Sequence, residues 1–447
     1  MTQHTGQTAS ERIERLLEKH PKGFDLSLER IGRLLADLGN PQDRLPPIIH
    51  IAGTNGKGSA TAFARALLEA QGLAVHVHTS PHLVNWHERY RIGRKGETGQ
   101  LVDDATLSDA VERVTKANGE HMITVFELLT AVTFVLFAEH PADAVILEVG
   151  LGGRFDATNV ITKPAVSLIM PVSLDHQSYL GDQVEIIAAE KAGIIKRGCP
   201  VVIGFQSSDD ARQVIIDIAD RLHCPVSVFG QDFVAYQEHG RMVYQDESGL
   251  IDLPLPRLLG RHQIANASAA IKAVREAGFA LSDQAVEQAM TNVSWPARMQ
   301  RLTQGELIRH APEKAEIWLD GGHNPGAGLV IAEALAELED RDPRVLYMIT
   351  GMINTKDPVG YFEAFAGMAK RVFTVAISSS DAGIDHETLA DAARRAGLTA
   401  VPVASVTDGL KAIQELTKDD TIAPRILIGG SLYLAGDVLA VNKTPPQ

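Results

Sequence analysis

Apolar residues recur along this chain in two rhythms. Leu26 to Leu38 repeats them at helical spacing and stops at Gly39, with Pro41 beyond, a sequence form of helix end. Ile49 to Ala52 is a short apolar run that leads into a glycine-rich turn, and Ala60 to Gln71 returns to helical spacing. Ala74 to His78, Ala144 to Val149, Ala165 to Val172 and Pro200 to Ile203 read as strands, and Leu128 to Ala138 as a buried helix. Strands that alternate with helices and lack polar alternation predict a parallel sheet covered on both faces. After Gly204 the pattern turns to helix, then to less regular strands through Val228 to Leu253, then to an alanine-rich helix ending at Ala277.

Trp295-Pro296-Ala297-Arg298 reads as a connector, because proline fixes the chain and little helical pattern crosses it. A second α/β series follows it. Glu316 to Leu319, Val345 to Thr350, Val372 to Ala376 and Arg425 to Ile428 are its strands, and Ala327 to Leu338 is a helix. The expectation is two α/β domains. Residues 1–297 form a P-loop-type parallel-sheet ATPase domain, and residues 298–447 a smaller Rossmann-like domain. A chain of 447 residues exceeds what one core supports, which agrees with that division.

Composition narrows the classes. A net charge of −14 opposes general binding to nucleic acid or membrane surfaces, whose phosphates repel it. The two cysteines, Cys199 and Cys224, each precede a proline and read as small buried residues in a reducing compartment. Met1 to Ser10 lacks the apolar core of a secretory signal, and Leu128 to Ala138 is too short to span a bilayer. The expected location is the cytoplasm, with no nucleic-acid or membrane partner and a monomeric state.

The chemistry begins at Gly53-Thr54-Asn55-Gly56-Lys57-Gly58-Ser59, between a strand and a helix. Glycines let backbone N–H groups surround phosphate oxygens, and the following helix aims its positive end at them. Lys57 neutralises phosphate charge and the Ser59 hydroxyl reaches a magnesium ion, which makes this a nucleoside triphosphate site. The spacing departs from the usual phosphate loop, with two residues between Gly53 and Gly56 and Gly58 interposed before Ser59. In parallel sheets ligands sit beyond the carboxyl ends of the strands. Lys57, Ser80, Glu148 and His176 all fall at or just past predicted strand ends, on one rim. The competing constellation is His76, His78, His82 and His87, in which His76 and His78 share a strand face as zinc ligands do. No matching carboxylate and histidine set follows it, which disfavours a zinc hydrolase. A non-catalytic nucleotide switch fits the phosphate loop alone.

Further motifs carry a family resemblance: Ser80-Pro81-His82-Leu83, Leu147 to Arg154, Asp175-His176, Glu190 to Ile194, His323-Asn324-Pro325 and Gly430-Ser431-Leu432-Tyr433. With the phosphate loop, and in this order, they resemble the folylpolyglutamate synthase/dihydrofolate synthase family of Mur ligases over nearly the whole chain. The resemblance implies ATP-dependent joining of L-glutamate to dihydropteroate or to reduced folates through an acyl phosphate. It implies Mg²⁺ at two sites, with Mn²⁺ or a monovalent cation as further candidates, held by Ser59, Ser80, Glu148 and His176. Lys57, Lys191, His176 and His323 become the catalytic candidates, Lys191 as a carbamate, because a buried amine that loses its proton reacts with CO₂. Asn266, Arg298 and Asp320 join the loop as ATP contacts, and His323 and Ser431 face the incoming glutamate. Ser80, Pro81 and His82, with Thr124, Val125, Phe126, Glu127, Phe155, Asp156 and Ala157, match segments that bind the pterin, which leans towards the bifunctional enzyme. Ala297 stands where the family usually has glycine, and Gly322 where it usually has alanine. A Mur-type ligase of cell-wall precursors shares the phosphate chemistry, but the Ser80–Leu83 and Gly150–Arg154 segments disfavour it. Because Arg298 and Asp320 straddle the connector, domain closure is expected to complete the site.

Overall fold

The computed structural model describes residues 7–20, 27–175 and 181–447. Its first sheet has eight strands, β1 (Ile48–Ala52), β2 (Val75–His78), β3 (Tyr90–Arg94), β4 (Glu97–Leu101), β5 (Ala144–Glu148), β6 (Val166–Ile169), β7 (Val201–Ile203) and β8 (Val226–Val228). They lie in the order β4-β3-β2-β5-β1-β6-β7-β8. Six strands run parallel, while β3 and β4 are antiparallel. The parallel sheet expected from the apolar runs is these six strands, and the chain adds an antiparallel hairpin at one edge. The β3–β4 hairpin turns at Lys95-Gly96, with Gly96 at φ 73°, and exposes Arg94 and Glu97, so no continuous apolar run marks it.

The helices around this sheet are α1 (Ala9–Lys19), α2 (Glu29–Asp37), α3 (Lys57–Ala70), α4 (Asp104–Asn118), α5 (Val125–Glu139), α6 (Val184–Lys191), α7 (Asp209–Arg221), α8 (His262–Glu276) and α9 (Asp283–Asn292). Successive strand residues point to opposite faces, and both faces are buried. Ile49, Ile51, Val75, Val77 and Ile146 pack with α3, α8 and α9. Ile48, Val145 and Leu147 pack with α1, α2, α4 and α5. The irregular strands of the sequence reading are a three-stranded antiparallel meander, β9 (Val234–Glu238), β10 (Arg241–Asp246) and β11 (Gly249–Pro254), whose Met242 and Tyr244 close the α8 side of the core.

Beyond residue 298 comes a six-stranded sheet of β12 (Gln300–Leu302), β13 (Glu316–Leu319), β14 (Leu346–Thr350), β15 (Ala369–Thr374), β16 (Ala400–Pro402) and β17 (Arg425–Gly429). Its order is β12-β13-β17-β14-β15-β16, parallel except for β12. Helices α10 (Pro325–Arg341), α11 (Pro358–Glu363), α12 (His386–Arg395), α13 (Val406–Leu416) and α14 (Leu432–Val441) cover it on two faces. The carboxyl ends of β1, β2 and β5 in one sheet and of β13 in the other open on the same cavity, about 870 Å³ in volume. The parallel topology delivers both sets of loops to it.

Candidate active site

The glycine-rich loop leaves β1 and becomes the first turn of α3 at Lys57. Two of its glycines have no substitute. Gly56 sits at φ 80°, and a Cβ there would lie 2.8 Å from Asn266 Oδ1; a Cβ at Gly58 would lie 2.7 Å from the Trp295 indole nitrogen. The loop is pinned from below, because the Thr54 and Asn55 N–H groups donate to Pro171 O at 2.8 and 3.2 Å, and Thr54 Oγ1 donates to Ser173 O at 3.0 Å. Lys57 Nζ donates to the loop's own carbonyls, Gly53 O at 3.0 Å and Thr54 O at 3.2 Å. Burial lowers the Lys57 pKa from its ordinary value, and the Glu148 and Asp175 carboxylates pull it partly back. Its charge is thus held in a dry place at the positive end of a helix, where it meets an anion with little competition from water.

The rim beside the loop holds polar groups with few obligations. Ser80, two residues past β2, has a buried hydroxyl without a hydrogen-bond partner. Glu148 ends β5 and is 6% exposed; burial pushes its carboxyl up to about 7, against the pull of Lys57 and Arg298. Lys191, the last residue of α6, is 5% exposed, and burial followed by repulsion from Lys57 brings its amine down to about 7. Ser59 is buried one turn into α3, and all four line the cavity. An orphaned hydroxyl, a second hydroxyl and a desolvated carboxylate form an oxygen-donor set that suits a hard divalent cation. His176, expected beside them, lies outside the described residues.

The four histidines of the competing constellation do not converge. His76 accepts from Gly93 N–H at 2.9 Å and meets His140 O at 3.0 Å, and His78 meets Thr133 Oγ1 at 2.9 Å. His82 accepts from Arg89 at 3.0 Å, and His87 faces Asp104 at 3.3 Å. Among the described residues no three His, Cys, Asp or Glu side chains gather to hold a metal.

The opposite wall comes from the second sheet and the connector. Arg298 lines the cavity and donates to Ala297 O at 2.9 Å. Asp320 is buried and already committed, accepting from Met299 N–H and Gly322 N–H, both at 2.7 Å, so it holds the connector's shape beside Arg298. The connector is strained, with Ala297 at φ 52° and Met299 at φ 40°, a region that favours glycine. Gly322 packs closely, since a Cβ there would lie 2.6 Å from Ile331 Cδ1. Asn266 donates to Gln263 Oε1 at 3.0 Å under the phosphate loop, and Ser431 caps α14 by accepting from Tyr433 N–H.

The remaining candidates divide between surface and scaffold. The Ser80-Pro81-His82-Leu83 loop, with a cis peptide before Pro81, is clamped by Glu88, which accepts from Leu83 N–H at 2.7 Å and Val84 N–H at 2.9 Å. Thr124 and Glu127 form the capping box of α5, and Glu127 also pairs with Arg30 at 3.1 Å. Val125 lies in the core, while the Phe126 ring closes on Gly150 and leaves no room for a side chain there. Phe155 is exposed; Asp156 is buried and ties its loop together by accepting from Gly150, Leu151 and Thr158 N–H groups; Ala157 is buried.

The sequence reading missed a group that joins the two halves. Lys356, beyond β14, is almost wholly buried and meets Asp175 Oδ1 at 2.6 Å. His323 Nε2 stands 3.6 Å from Asp175 Oδ2, and His323 Nδ1 lies 2.9 Å from Gly321 O. Asn324 and Asn55 exchange amide hydrogen bonds at 3.1 and 3.3 Å, and Asn324 also donates to Asp175 at 3.3 Å. The Lys-Asp dipeptide at residues 356–357 has no local pattern that separates it from a solvated pair.

Both halves of the chain are similar to known proteins. The Mur ligase middle domain profile matches residues 51–274, and that of the Mur ligase glutamate ligase domain matches residues 298–429. A dihydrofolate synthase/folylpolyglutamate synthase of Haemophilus influenzae is 31% identical over 446 residues, covering 97% of each chain. Escherichia coli FolC, solved with DHPP and ADP, superposes with a TM-score of 0.84 at 26% identity over 98% of this chain and 99% of its own. The Yersinia pestis bifunctional folylpolyglutamate synthase/dihydrofolate synthase, solved with AMPPNP and Mn ion, gives 0.84 at 28% identity over 98% and 99%.

Proposed function

The chain belongs to the dihydrofolate synthase/folylpolyglutamate synthase family of Mur ligases, and from that premise we propose that it joins L-glutamate, at the cost of ATP, to dihydropteroate and to reduced folates. The observation that carries this reading is the meeting of the phosphate loop, Ser80, Glu148, Lys191, Arg298 and His323 in one cavity. ATP lies with its phosphates on the Gly53–Ser59 amides and on Lys57, and Arg298 reaches them from the connector. The acid's carboxylate attacks the γ-phosphorus, ADP leaves, and an acyl phosphate forms. The glutamate amine, having lost a proton, attacks the acyl carbon; phosphate departs and the amide remains. The obstacle is anion meeting anion, and Lys57 and Arg298 lower it by holding the reactants in line and offsetting their charge.

Ser59, Ser80 and Glu148, with His176, would hold two divalent cations, Mg²⁺ in the first place. A bound cation supplies charge neutralisation at the phosphate oxygens. Lys191, whose burial favours the neutral amine, takes up CO₂ as a carbamate: the neutral nitrogen bonds the carbon and releases one proton, turning an uncharged amine into an anion beside the metal ligands. His323 and Ser431 face the glutamate, and the Thr124–Glu127 and Phe155–Ala157 segments take the pterin. The two working units are residues 1–297 and 298–447, in a monomeric cytoplasmic enzyme. The test is phosphate release with L-glutamate, offering dihydropteroate and a reduced folate in separate assays. Release with both supports the bifunctional reading, and release with neither refutes it.

A further inference from the structure

Parallel strands buried on both faces are apolar, and β1 departs from that rule once, at His50. Its neighbours Ile49 and Ile51 point to the α3 face, so the imidazole, like Ile48, points to the α5 face, and it is fully buried. A buried polar group needs a partner. His50 Nε2 lies 2.9 Å from Thr158 Oγ1, in the short helical turn Ala157–Val160. Thr158 Oγ1 in turn donates to Asp156 Oδ1 at 2.6 Å, and its one proton lies in that bond. The hydroxyl therefore accepts from His50, which fixes the Nε2–H tautomer and leaves the partnerless Nδ1 without a proton. Burial, with Lys196 and His78 nearby, holds the ring's pKa down to about 3, so it stays neutral. Asp156 Oδ1 also takes the Thr158 N–H at 3.0 Å, while Oδ2 takes Gly150 and Leu151 N–H at 3.0 and 2.9 Å. The chain of bonds thus ends in the turn that follows Glu148.

That turn has two close neighbours. A Cβ built on Gly150 would lie 2.5 Å from the Phe126 ring and 3.2 Å from Ser80 Oγ, so its backbone fills the gap between them. Where the turn sits decides the shape of the wall that Phe126 and Ser80 share. A carboxylate free to rotate holds two N–H groups poorly. The hydroxyl bond to its other oxygen stops that rotation, and the imidazole stops the hydroxyl from turning away. We propose that His50 is a positioning residue for the acid substrate, acting through Thr158 and Asp156 to hold the Gly150–Leu151 turn against Phe126 and Ser80. The proposal rests on the folate ligase reading above and adds to it the buried side chain that sets the acceptor's seat.

His50→Leu and Thr158→Val each remove one link and keep the apolar packing around it. The expected result is a KM for dihydropteroate about tenfold higher, the scale of one lost buried hydrogen bond, with KM for ATP unchanged. His50→Gln, whose amide nitrogen reaches about as far as Nε2, should recover most of the loss. The double variant should lose no more than the worse single one, because both break the same chain. In hydrogen-exchange mass spectrometry the segment carrying Gly150 and Leu151 should exchange about tenfold faster in each single variant, with the Gly53–Ser59 loop unchanged. An unchanged KM for dihydropteroate, additive losses, or an equal rise in KM for ATP would mark His50 as scaffold, and each overturns the proposal. Unchanged exchange at Gly150 and Leu151 overturns it as well. If the unaltered protein ligates no pterin acceptor, the ligase reading fails, and the exchange measurement then decides separately whether His50 holds the turn.

Discussion

The two walls of the cavity are built on opposite principles. On the first sheet's rim, Ser80 has an orphaned hydroxyl, Glu148 is desolvated, and Lys191 is a buried amine near neutrality. On the second sheet's wall the carboxylate, amide and amine groups at the seam are engaged, Asp320 with Met299 and Gly322, Asn324 with Asn55, Lys356 with Asp175, although the Trp318 indole nitrogen has no partner. Buried groups left unsatisfied cost stability, so a folded protein keeps them where a ligand completes them. The first wall is therefore arranged to bind, and the second to close on it and hold position.

The sharpest way to break that contrast is Lys57→Ala. Turnover should fall on the order of 10³-fold, as when a preorganised charge partner of the transition state is removed. The thermal transition should stay in place, because the lysine bonds only its own loop. Activity retained in a phosphate-release assay would take Lys57 out of the mechanism. Next in size is Lys356→Met, which leaves the buried Asp175 carboxylate short of a cation. A loss on the order of 10²-fold in kcat is expected from misplacement across the cleft. A double-mutant cycle with Asp175→Asn should show a coupling of about 1–3 kcal/mol, and additive effects would mean that the two residues do not act as a latch.

Lys191 sharpens the same contrast through pH. Its amine is held near 7, so the neutral, CO₂-reactive form grows as pH rises through that value and is lost as pH falls below it. Protein kept free of CO₂ near pH 6 should start slowly and recover severalfold when bicarbonate is added at pH 8. Intact-mass measurement should find the gain of one CO₂ on Lys191, and a plain amine in fully active protein would end the carbamate reading. The smallest effect belongs to the connector. Ala297 sits at φ 52°, where an L-residue with a Cβ is strained, so Ala297→Gly should raise stability by about 1 kcal/mol and Tm by a few degrees. A lower Tm would show that the strain is offset elsewhere.

Much of this was legible in the chain. The continuous apolar strands β1, β5, β6 and β17 stood out because burial on both faces removes polar alternation. The β3–β4 hairpin did not, because it lies at the edge of the sheet with Arg94 and Glu97 exposed and has no apolar run to declare it. The phosphate loop was legible because strand, glycines, lysine and hydroxyl lie within one local stretch. Lys356 was not, because its meaning depends on Asp175, 181 residues away. Glu127 and Asp156, expected by resemblance in substrate-binding segments, also serve in a helix cap and a loop tie, with Glu127 Oε1 left without a partner, a fact that appears only when their neighbours are in place.

The sequence by itself determined the continuous apolar strands, the anion-binding turn and the order of the motifs, since each depends on residues a few positions apart. Only the tertiary structure decided which polar groups are left unsatisfied and which pair across the cleft. Those properties follow from burial and distance, and both are set by how remote segments pack.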